Sequence, residues 1–366
     1  MLYFTIIFQG KLKKKETVIF IDEVQVVPKI ITLVKEIVIE GSYRYILCGS
    51  LQGLELHNVS SIPVGYTQIH TLYPLSFIEF LKANNVSNEL ISMVYSNFSE
   101  LSSLHNDVYE NFMKYFKTYM IVGGMPSVIK KYIELNDYEV VFLEQEYIIN
   151  MYKEDFSKYE NLEKKLQLKR IYDEIPSQLK KEYNRFTMKD IDNVNRFSQI
   201  ENSVDWLINA GVSHKVKLTS ELIDGIKQSE RELFKLYLSD IGLLLSLYGR
   251  TTRNKIIIGD TNFNFGYLYE NFVCMELISK KYVLYYYNSR KHGEVEFIVE
   301  DKNTMSVLPI EVKSGSKYLE HSALDYVLLT YLNIKNAYVF GNCNISKIGK
   351  IIYLPIFMAS FLNNNE

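Results

Sequence analysis

Three glutamates and a lysine in the C-terminal part of the chain have residue types and spacing that suit a divalent cation. Glu296 lies in one predicted strand, and Glu311 and Lys313 lie in the next one. Because side chains alternate between the two faces of a strand, pairing of these strands is predicted to bring the three residues together on one polar face. Glu270, on the preceding predicted helix, adds a third carboxylate. Neighbouring carboxylates repel one another unless a cation lies among them, and Mg²⁺ accepts one or two carboxylates together with a substrate phosphate.

The elements that must position these residues run from Phe265 to Phe340, and they are predicted as a helix, three strands, a second helix and a further strand. Alternation along the first acid-bearing strand predicts Val295 and Phe297 on the apolar face, opposite Glu296. A Glu-x-Lys strand is also compatible with cross-strand salt bridges that have no catalytic role.

Two short motifs in this segment resemble a known type of site. The residues GYLYENFV at 266–273 and IEVKSG at 310–315, with Glu296 between them, resemble the PD-(D/E)xK nuclease-type site, in which the first strand acid is more usually Asp. The wider pattern is similar to a bacterial and archaeal family that joins an AAA+-like ATPase domain to a C-terminal nuclease-like domain of unknown function. The resemblance implies catalytic roles for Glu296, Glu311 and Lys313, and metal ligation by Glu270, Glu296 and Glu311. The extra methylene of Glu moves the carboxylate by roughly an ångström, a displacement to which catalysis is sensitive.

The N-terminal segment resembles the ATPase part of the same family. The apolar run Thr17–Ile21 ends in Asp22 and Glu23, as a buried parallel strand with acids at its carboxyl end does. It resembles a Walker B strand, which implies that Asp22 holds Mg²⁺ and Glu23 orients the attacking water. The alternative is that the two acids simply begin the next loop. A helix and a second strand follow, and Ser50 at the end of that strand stands where such ATPases place a γ-phosphate sensor.

A P-loop is missing from the printed sequence. The motif G-x-x-x-x-G-K-[ST] cradles phosphates, but Gly10-Lys11 has Thr at position 5 and Leu at position 12, and Gly349-Lys350 is followed by Ile351. ATP is the cofactor that the family implies. We expect that this chain starts inside its ATPase domain and does not bind ATP tightly alone.

The middle of the chain is predicted to be helical and then basic. Gly123-Gly124-Met125-Pro126 predicts a turn with special φ angles, followed by a helix with Pro in its first turn. Further on, two short helices and a strand that carries Lys215 and Lys217 resemble a winged helix, which implies DNA binding by the two lysines. The alternative is a helical packing domain with ordinary surface lysines.

The amino-acid composition limits the classes of protein to which this chain could belong. A 366-residue chain with 47% hydrophobic and 23% charged residues suits two or three globular domains. Its net charge of -2 provides no overall attraction to nucleic acid, so DNA binding requires a local patch. Three widely separated cysteines argue against a disulfide framework and favour a reducing, cytoplasmic environment. We predict no signal peptide and no membrane span.

Together these features predict a multidomain α/β protein. We expect a partial P-loop-type parallel sheet, a helical and winged-helix-like middle, and a C-terminal restriction-endonuclease-like α/β domain. The predicted regions are an ATPase-like domain without a Walker A motif (1–83), a helical region (84–160), a winged-helix-like region (161–258) and a nuclease-like domain (259–366).

The leading functional hypothesis is an ATPase-family protein whose C-terminal domain cleaves or binds DNA with Mg²⁺. The alternatives are a non-catalytic regulator that binds nucleic acid or protein, and an inactive truncated remnant that pairs or oligomerises through an exposed sheet edge.

Overall fold

The computed structural model describes residues 12–26, 29–49, 65–156, 162–180, 186, 199–222, 225–229, 233–259, 264–301 and 306–362. The chain divides into two compact units. One comprises Met1–Leu72 with Asn209–Gly211, and the other comprises Tyr73–Ile208 and Val212–Glu366. The second unit therefore contains parts of all three regions that are predicted from residue 84 onward.

The first unit contains the predicted strand, helix and strand. They are β1 (Val18–Ile21), α1 (Lys29–Glu40) and β2 (Arg44–Leu47), with a short 3-10 turn at Val24–Val26 after β1. The two strands pair in parallel, from Val18 opposite Arg44 to Ile21 opposite Leu47. β1 is less buried than its apolar sequence predicts, because Val18 is 48% exposed and Phe20 is 60% exposed. Its alternate residues Ile19 and Ile21 are the more protected ones.

Most helices of the second unit precede its strands in the sequence. They are α2 (Phe77–Ala83), α3 (Asn88–Glu100), α4 (Asn106–Val122), α5 (Pro126–Leu135), α6 (Tyr138–Asp155), α7 (Leu162–Leu179), α8 (Glu201–Asn209), α9 (Ile241–Leu247), α10 (Arg250–Ile257), α11 (Gly266–Ser279) and α12 (Ser322–Thr330). A 3-10 helix at Ile356–Phe361 ends the described chain.

In the described residues one mixed sheet of nine strands forms the centre of this unit. Its strands are β3 (Ser213–Glu221), β4 (Lys227–Gln228), β5 (Phe234–Leu238), β6 (Tyr285–Ser289), β7 (Gly293–Asp301), β8 (Ser306–Lys313), β9 (Ala337–Gly341), β10 (Ser346–Ile348) and β11 (Ile351–Pro355). They are arranged in the order β10-β11-β9-β8-β7-β6-β3-β4, and β5 pairs with β3. The β8–β9, β9–β11 and β3–β6 pairs are parallel, and the others are antiparallel. The mixed α/β architecture is thus confirmed, and the predicted order of helix, three strands, helix and strand is present from α11 to β9.

An irregularity in the pairing of β6 and β7 changes which residues of β7 lie on the same face of the sheet. The register shifts between Tyr285 opposite Ile298 and Tyr287 opposite Val295. As a result Val295 and Ile298 belong to the same hydrophobic cluster, which includes Leu324 of α12. Phe297 instead packs on Tyr237, at a ring-centroid distance of 5.7 Å. The strict alternation predicted from the sequence therefore breaks within this strand, because a bulge inserts an extra residue.

Helix α11 is held by an aromatic cluster rather than by an amphipathic stripe. Its Phe272 lies 4.8 Å from Phe116 and 6.3 Å from Phe77 between ring centroids, and Phe77 also contacts Phe357 near the C-terminus. Edge-to-face aromatic pairs of this kind stabilise a core by about 0.5–1.5 kcal/mol each beyond the area that they bury. The same helix packs against β8 and β5, so Glu270 lies next to the sheet.

The double glycine has a packing role. Gly123 has a φ of 77°, and helix α5 begins at Pro126, so the predicted turn and helix start are confirmed. The N–H of Gly124 donates to the buried Asp240 carboxylate at 2.6 Å. A Cβ atom at Gly124 would lie 2.3 Å from the carbonyl oxygen of Leu75. Only glycine allows this close approach of two backbone segments.

Candidate functional site

Glu311 and Lys313 lie on one face of β8, and that face is covered. Alternation along the strand places both side chains on the same side, as the sequence predicts. Glu311 is shielded from solvent, because α11 packs on β8 and Glu311 is only 2% exposed, whereas the Lys313 side chain is 29% exposed. Glu311 Oε1 lies 2.6 Å from Lys313 Nζ, so the two form a close ion pair.

Glu296 reaches this pair from the neighbouring strand β7. Its Oε2 accepts a hydrogen bond from the backbone N–H of Val312, at 3.0 Å, and Val312 is the residue between Glu311 and Lys313. The three residues predicted to meet on two paired strands therefore do meet.

Glu270 approaches the same region from α11, but its contacts differ from those predicted. Its Oε2 accepts a hydrogen bond from the hydroxyl of Tyr237, at 2.9 Å, and lies 3.6 Å from Lys235 Nζ. Both partners come from β5, a strand that was not predicted to belong to this site.

Lys235 and Glu294 are the site residues that sequence reasoning missed. The Lys235 side chain is 0% exposed, forms a close ion pair with Glu294 Oε1, and lies 5.3 Å from the centre of the Tyr286 ring. The other Glu294 oxygen accepts from Asn288 Nδ2 at 3.1 Å. One signal was available in the sequence, since a lysine inside the apolar run Phe234–Leu238 needs a buried partner.

Four carboxylates and two ammonium groups therefore form one cluster, which consists of Glu270, Glu294, Glu296, Glu311, Lys235 and Lys313. Loss of water contact raises the pKa of Glu296 well above its usual range; the charges of Glu311 and Glu270 raise it further, whereas Lys313 and Lys235 oppose the rise. Burial likewise raises the pKa of Glu311, which Lys313 opposes. For Lys313 burial acts to lower the pKa, but Glu311 and Glu296 outweigh it and the pKa is raised.

The cluster leaves fewer carboxylates open to a metal ion than the predicted set of three. Glu311 Oε2 is buried and has no hydrogen-bond partner among the described residues, and carboxylates are the ligands that Mg²⁺ prefers. Across the described ranges, however, no group of three or more His, Cys, Asp or Glu side chains is arranged to hold a metal ion. Glu270 is engaged by Lys235 and Tyr237. Of the three carboxylates predicted to hold an ion, this leaves Glu296 and Glu311 as the two that could contact one.

The predicted nucleotide residues are described only in part. Asp22 and Glu23 follow β1 directly, both are exposed, and the N–H of Glu23 donates to Asp22 Oδ1 at 2.9 Å. The N–H of Val24 donates to the carbonyl of Cys48, so the carboxyl ends of β1 and β2 lie side by side. Ser50 lies outside the described residues. The acids thus stand at the edge of the parallel pair where ligands of open α/β sheets bind.

The lysines of the predicted wing lie on a sheet strand. Lys215 and Lys217 belong to β3, which pairs with β4, β5 and β6. Lys215 Nζ lies 3.5 Å from Asp205, and Lys217 Nζ lies 3.4 Å from Gln228. A strand with neighbours on both sides is not a free wing, so the winged-helix assignment is not confirmed.

Three family models match separate parts of the chain. Residues 3–81 match an AAA domain, residues 113–254 match a domain of unknown function (DUF8612), and residues 265–357 match another domain of unknown function (DUF4143). The first match supports an AAA-like ATPase family for the N-terminal segment. Lys235 falls within the second match, whereas all four cluster glutamates fall within the third. A comparison with curated proteins found no match. In the part of the chain that the structure describes, no helix is long and apolar enough to span a bilayer.

Proposed function

We propose that this ATPase-like protein hydrolyses phosphodiester bonds of DNA with Mg²⁺ at the cluster formed by β7 and β8. The observation that carries the proposal is the convergence of Glu296, Glu311 and Lys313, joined by the Val312 N–H contact and the Glu311–Lys313 ion pair. One or two carboxylates commonly hold Mg²⁺ beside a substrate phosphate, and an adjacent ammonium group can offset the charge of that phosphate.

Each residue has a separate task in this proposal. When bound, Mg²⁺ would supply Lewis-acid stabilisation of the charge on the phosphate and lower the pKa of a bound water. Glu296 and Glu311 would hold the ion with their carboxylate oxygens. Lys313 offers a compact positive charge that can donate a hydrogen bond to a phosphate oxygen, and its pairing with Glu311 keeps its Nζ beside the carboxylates. Glu270 fixes Lys235 and Tyr237 behind them.

The ATPase-like segment would act on a nucleotide only together with a P-loop, since the sequence contains no complete P-loop motif. Asp22 would bind the magnesium of a nucleotide, and Glu23 would orient the water that attacks the γ-phosphate. This assignment is supported by the AAA-domain match and by the position of both acids at the end of β1.

A cleavage assay tests the proposal. Single- and double-stranded DNA are incubated with the full chain in the presence of Mg²⁺ or Mn²⁺, and the rate of strand cleavage is measured. Removing one group that stabilises transition-state charge typically costs 100- to 1,000-fold, so we expect losses of about 100-fold or more for Glu311→Gln and for Lys313→Met. Glu300→Gln is the matched control, since it removes a carboxylate from an exposed position of the neighbouring strand β7. Its rate should stay within about twofold of the parent protein. Cleavage that survives both site variants would refute the assignment.

A non-catalytic role in DNA binding is the second candidate, and one observation favours it. Lys235 and Lys313 already place two positive charges among the four carboxylates, so the cluster is compensated in part without a metal ion. Mg²⁺-dependent DNA retention without strand cleavage, lost in Glu311→Gln, would select this candidate.

A further inference from the structure

We propose that the tip of the β6–β7 hairpin, which consists of Arg290, Lys291 and His292, binds the phosphate backbone of DNA beside the candidate site. The inference deepens the proposed function by naming a contact for the substrate, and it rests on that function for the identity of the bound polyanion. Because the chain has a net charge of -2, DNA binding requires a local basic patch, and the tip consists of three basic residues in succession.

The tip has a defined backbone geometry. Ser289 pairs with Gly293 across the hairpin, so the loop between them consists of the three tip residues alone. Gly293 has a φ of 91°, a conformation that glycine adopts readily where a hairpin turn rejoins its strand. The chain therefore turns tightly at this point and presents the tip beyond the ends of β6 and β7.

Helix α12 holds the tip in place. The ring of His292 stacks on that of Tyr326, with 3.9 Å between the centroids and an interplanar angle of 10°. The hydroxyl of Ser322, at the start of α12, donates to the carbonyl oxygen of His292 at 3.1 Å. Arg290 and Lys291, beside this anchored residue, are exposed. Because the loop is already ordered, DNA binding at the tip costs less conformational entropy.

The charges of Arg290 and Lys291 have no acidic partner in the part of the chain that the structure describes. Neither side chain forms an ion pair with a described carboxylate, whereas Lys280, Lys313 and Lys317 each have a glutamate partner. A paired lysine is already compensated. Two adjacent positive charges without a partner attract a polyanion.

The tip lies at the same end of the sheet as the candidate site. β7 and β8 are antiparallel, so the start of β7, which the tip joins, lies at the same end of the sheet as Lys313 at the end of β8. Lys291 precedes Glu294 of the cluster by three residues, which span at most about 10 Å of chain. Phosphates follow one another every ~3.4 Å along each strand of a DNA duplex. A backbone whose phosphate meets Lys313 therefore has further phosphates within reach of the tip.

Equilibrium binding to DNA tests the tip directly. A fluorescein-labelled DNA duplex is titrated with the full chain in the absence of divalent ions, so that no metal-dependent cleavage occurs, and fluorescence anisotropy is measured at about 50 to 200 mM salt. Each phosphate contact contributes about 0.9 to the slope of log K against log salt concentration. For Arg290→Gln with Lys291→Gln we expect a slope that is less steep by about 1.8 and binding that is at least about tenfold weaker at about 50 mM salt.

Two control proteins separate a local contact from a general effect of charge. Arg290→Lys with Lys291→Arg retains both charges and should bind within about twofold of the parent protein. Lys335→Gln with Lys347→Gln removes two exposed lysines far from the tip. Lys347 belongs to β10, four strands from β7 and thus roughly 19 Å away, and Lys335 precedes β9 at the opposite end of the sheet. This control should change the slope by less than about 0.5.

The possible results separate the inference from the proposed function. An unchanged slope in Arg290→Gln with Lys291→Gln, an equal loss in the Lys335→Gln with Lys347→Gln control, or a parent protein that does not bind the duplex would each overturn the inference, even where DNA cleavage that depends on Glu311 is observed. A lower slope without any Mg²⁺-dependent cleavage would remove the proposed function and support the tip as a DNA contact. Where both hold, Arg290→Gln with Lys291→Gln should raise the KM of cleavage about tenfold and leave kcat within about twofold, because the tip contacts the backbone away from the bond that breaks.

Discussion

Replacement of Lys235 by Met should destabilise the second unit severely, because it removes the positive charge but leaves its acidic partners in place. The side chain is 0% exposed, and it is paired with Glu294 and Glu270. Breaking a buried ion pair by removing one partner typically costs about 3–5 kcal/mol. A domain is usually stable by about 5–15 kcal/mol in total, so this loss is a large fraction of the whole.

Removal of both charges should cost much less than the sum of the two single losses. Glu294→Gln alone leaves Lys235 paired with Glu270, and we expect a loss of about 1.5–3 kcal/mol, the value of a hydrogen bond to a charged group. Lys235→Met combined with Glu294→Gln leaves neither the ammonium group nor its closest carboxylate. We expect the double variant to lose about 2 kcal/mol less than the sum of the single variants, which is within the range measured for residues in direct contact.

The unfolding of this unit can be followed by fluorescence. Trp206 is the single tryptophan of the chain, it is 7% exposed, and it lies on α8 within the second unit. Equilibrium unfolding in guanidinium chloride, monitored by this residue, provides a free energy for each variant. Lys217→Met should change it by less than about 0.5 kcal/mol. If the losses of the two single variants add up to the loss of the double variant within about 0.5 kcal/mol, Lys235 and Glu294 do not stabilise each other, and the reasoning is refuted.

Two further predictions concern the junction around Asp240. Gly124→Ala should destabilise the protein by about 3 kcal/mol, because the new Cβ would lie 2.3 Å from the carbonyl oxygen of Leu75. Gly315→Ala is the control and should be nearly neutral in the same unfolding assay, since a Cβ at Gly315 has no atom within 4 Å. Equal effects of the two substitutions would contradict this explanation. Burial raises the pKa of Asp240 to about 6, against hydrogen bonds from Gly124 and Leu243 that lower it. The native state therefore binds this proton more tightly than the unfolded chain does. Protonated Asp240 stabilises the native state fully below about pH 4, and about 3 kcal/mol of this stability is lost as the pH rises to about 6. Stability curves from pH 4 to 7 should fall less steeply for Asp240→Asn, and parallel curves would contradict the prediction.

Short-range features of the sequence were sufficient for much of the architecture. The order of α11, three strands, α12 and β9 follows from runs of apolar residues and the breaks between them. The parallel pairing of β1 and β2 follows from the strand, helix and strand order. The turn at Gly123 and the helix start at Pro126 follow from residue types that need or impose particular φ angles.

The core of the candidate site could also be predicted, because it depends on only two adjacent strands. Glu311 and Lys313 are two positions apart, and Glu296 belongs to the strand before them. The covering of this polar face by α11 could not be predicted in the same way. Alternation shows which residues share a face, but only the packing of another element shows whether that face meets water or protein.

The amino-acid sequence by itself determined that Glu311 and Lys313 share a face of β8, since strand geometry repeats every two residues and needs no distant partner. The tertiary structure alone decided that Lys235 enters the cluster, that Glu270 pairs with it, and that a bulge interrupts the alternation of β7. These outcomes depend on contacts between segments far apart in the chain. A buried charge requires a partner, and that partner comes from the element that the packed core places next to it. A local sequence pattern does not show which element this is.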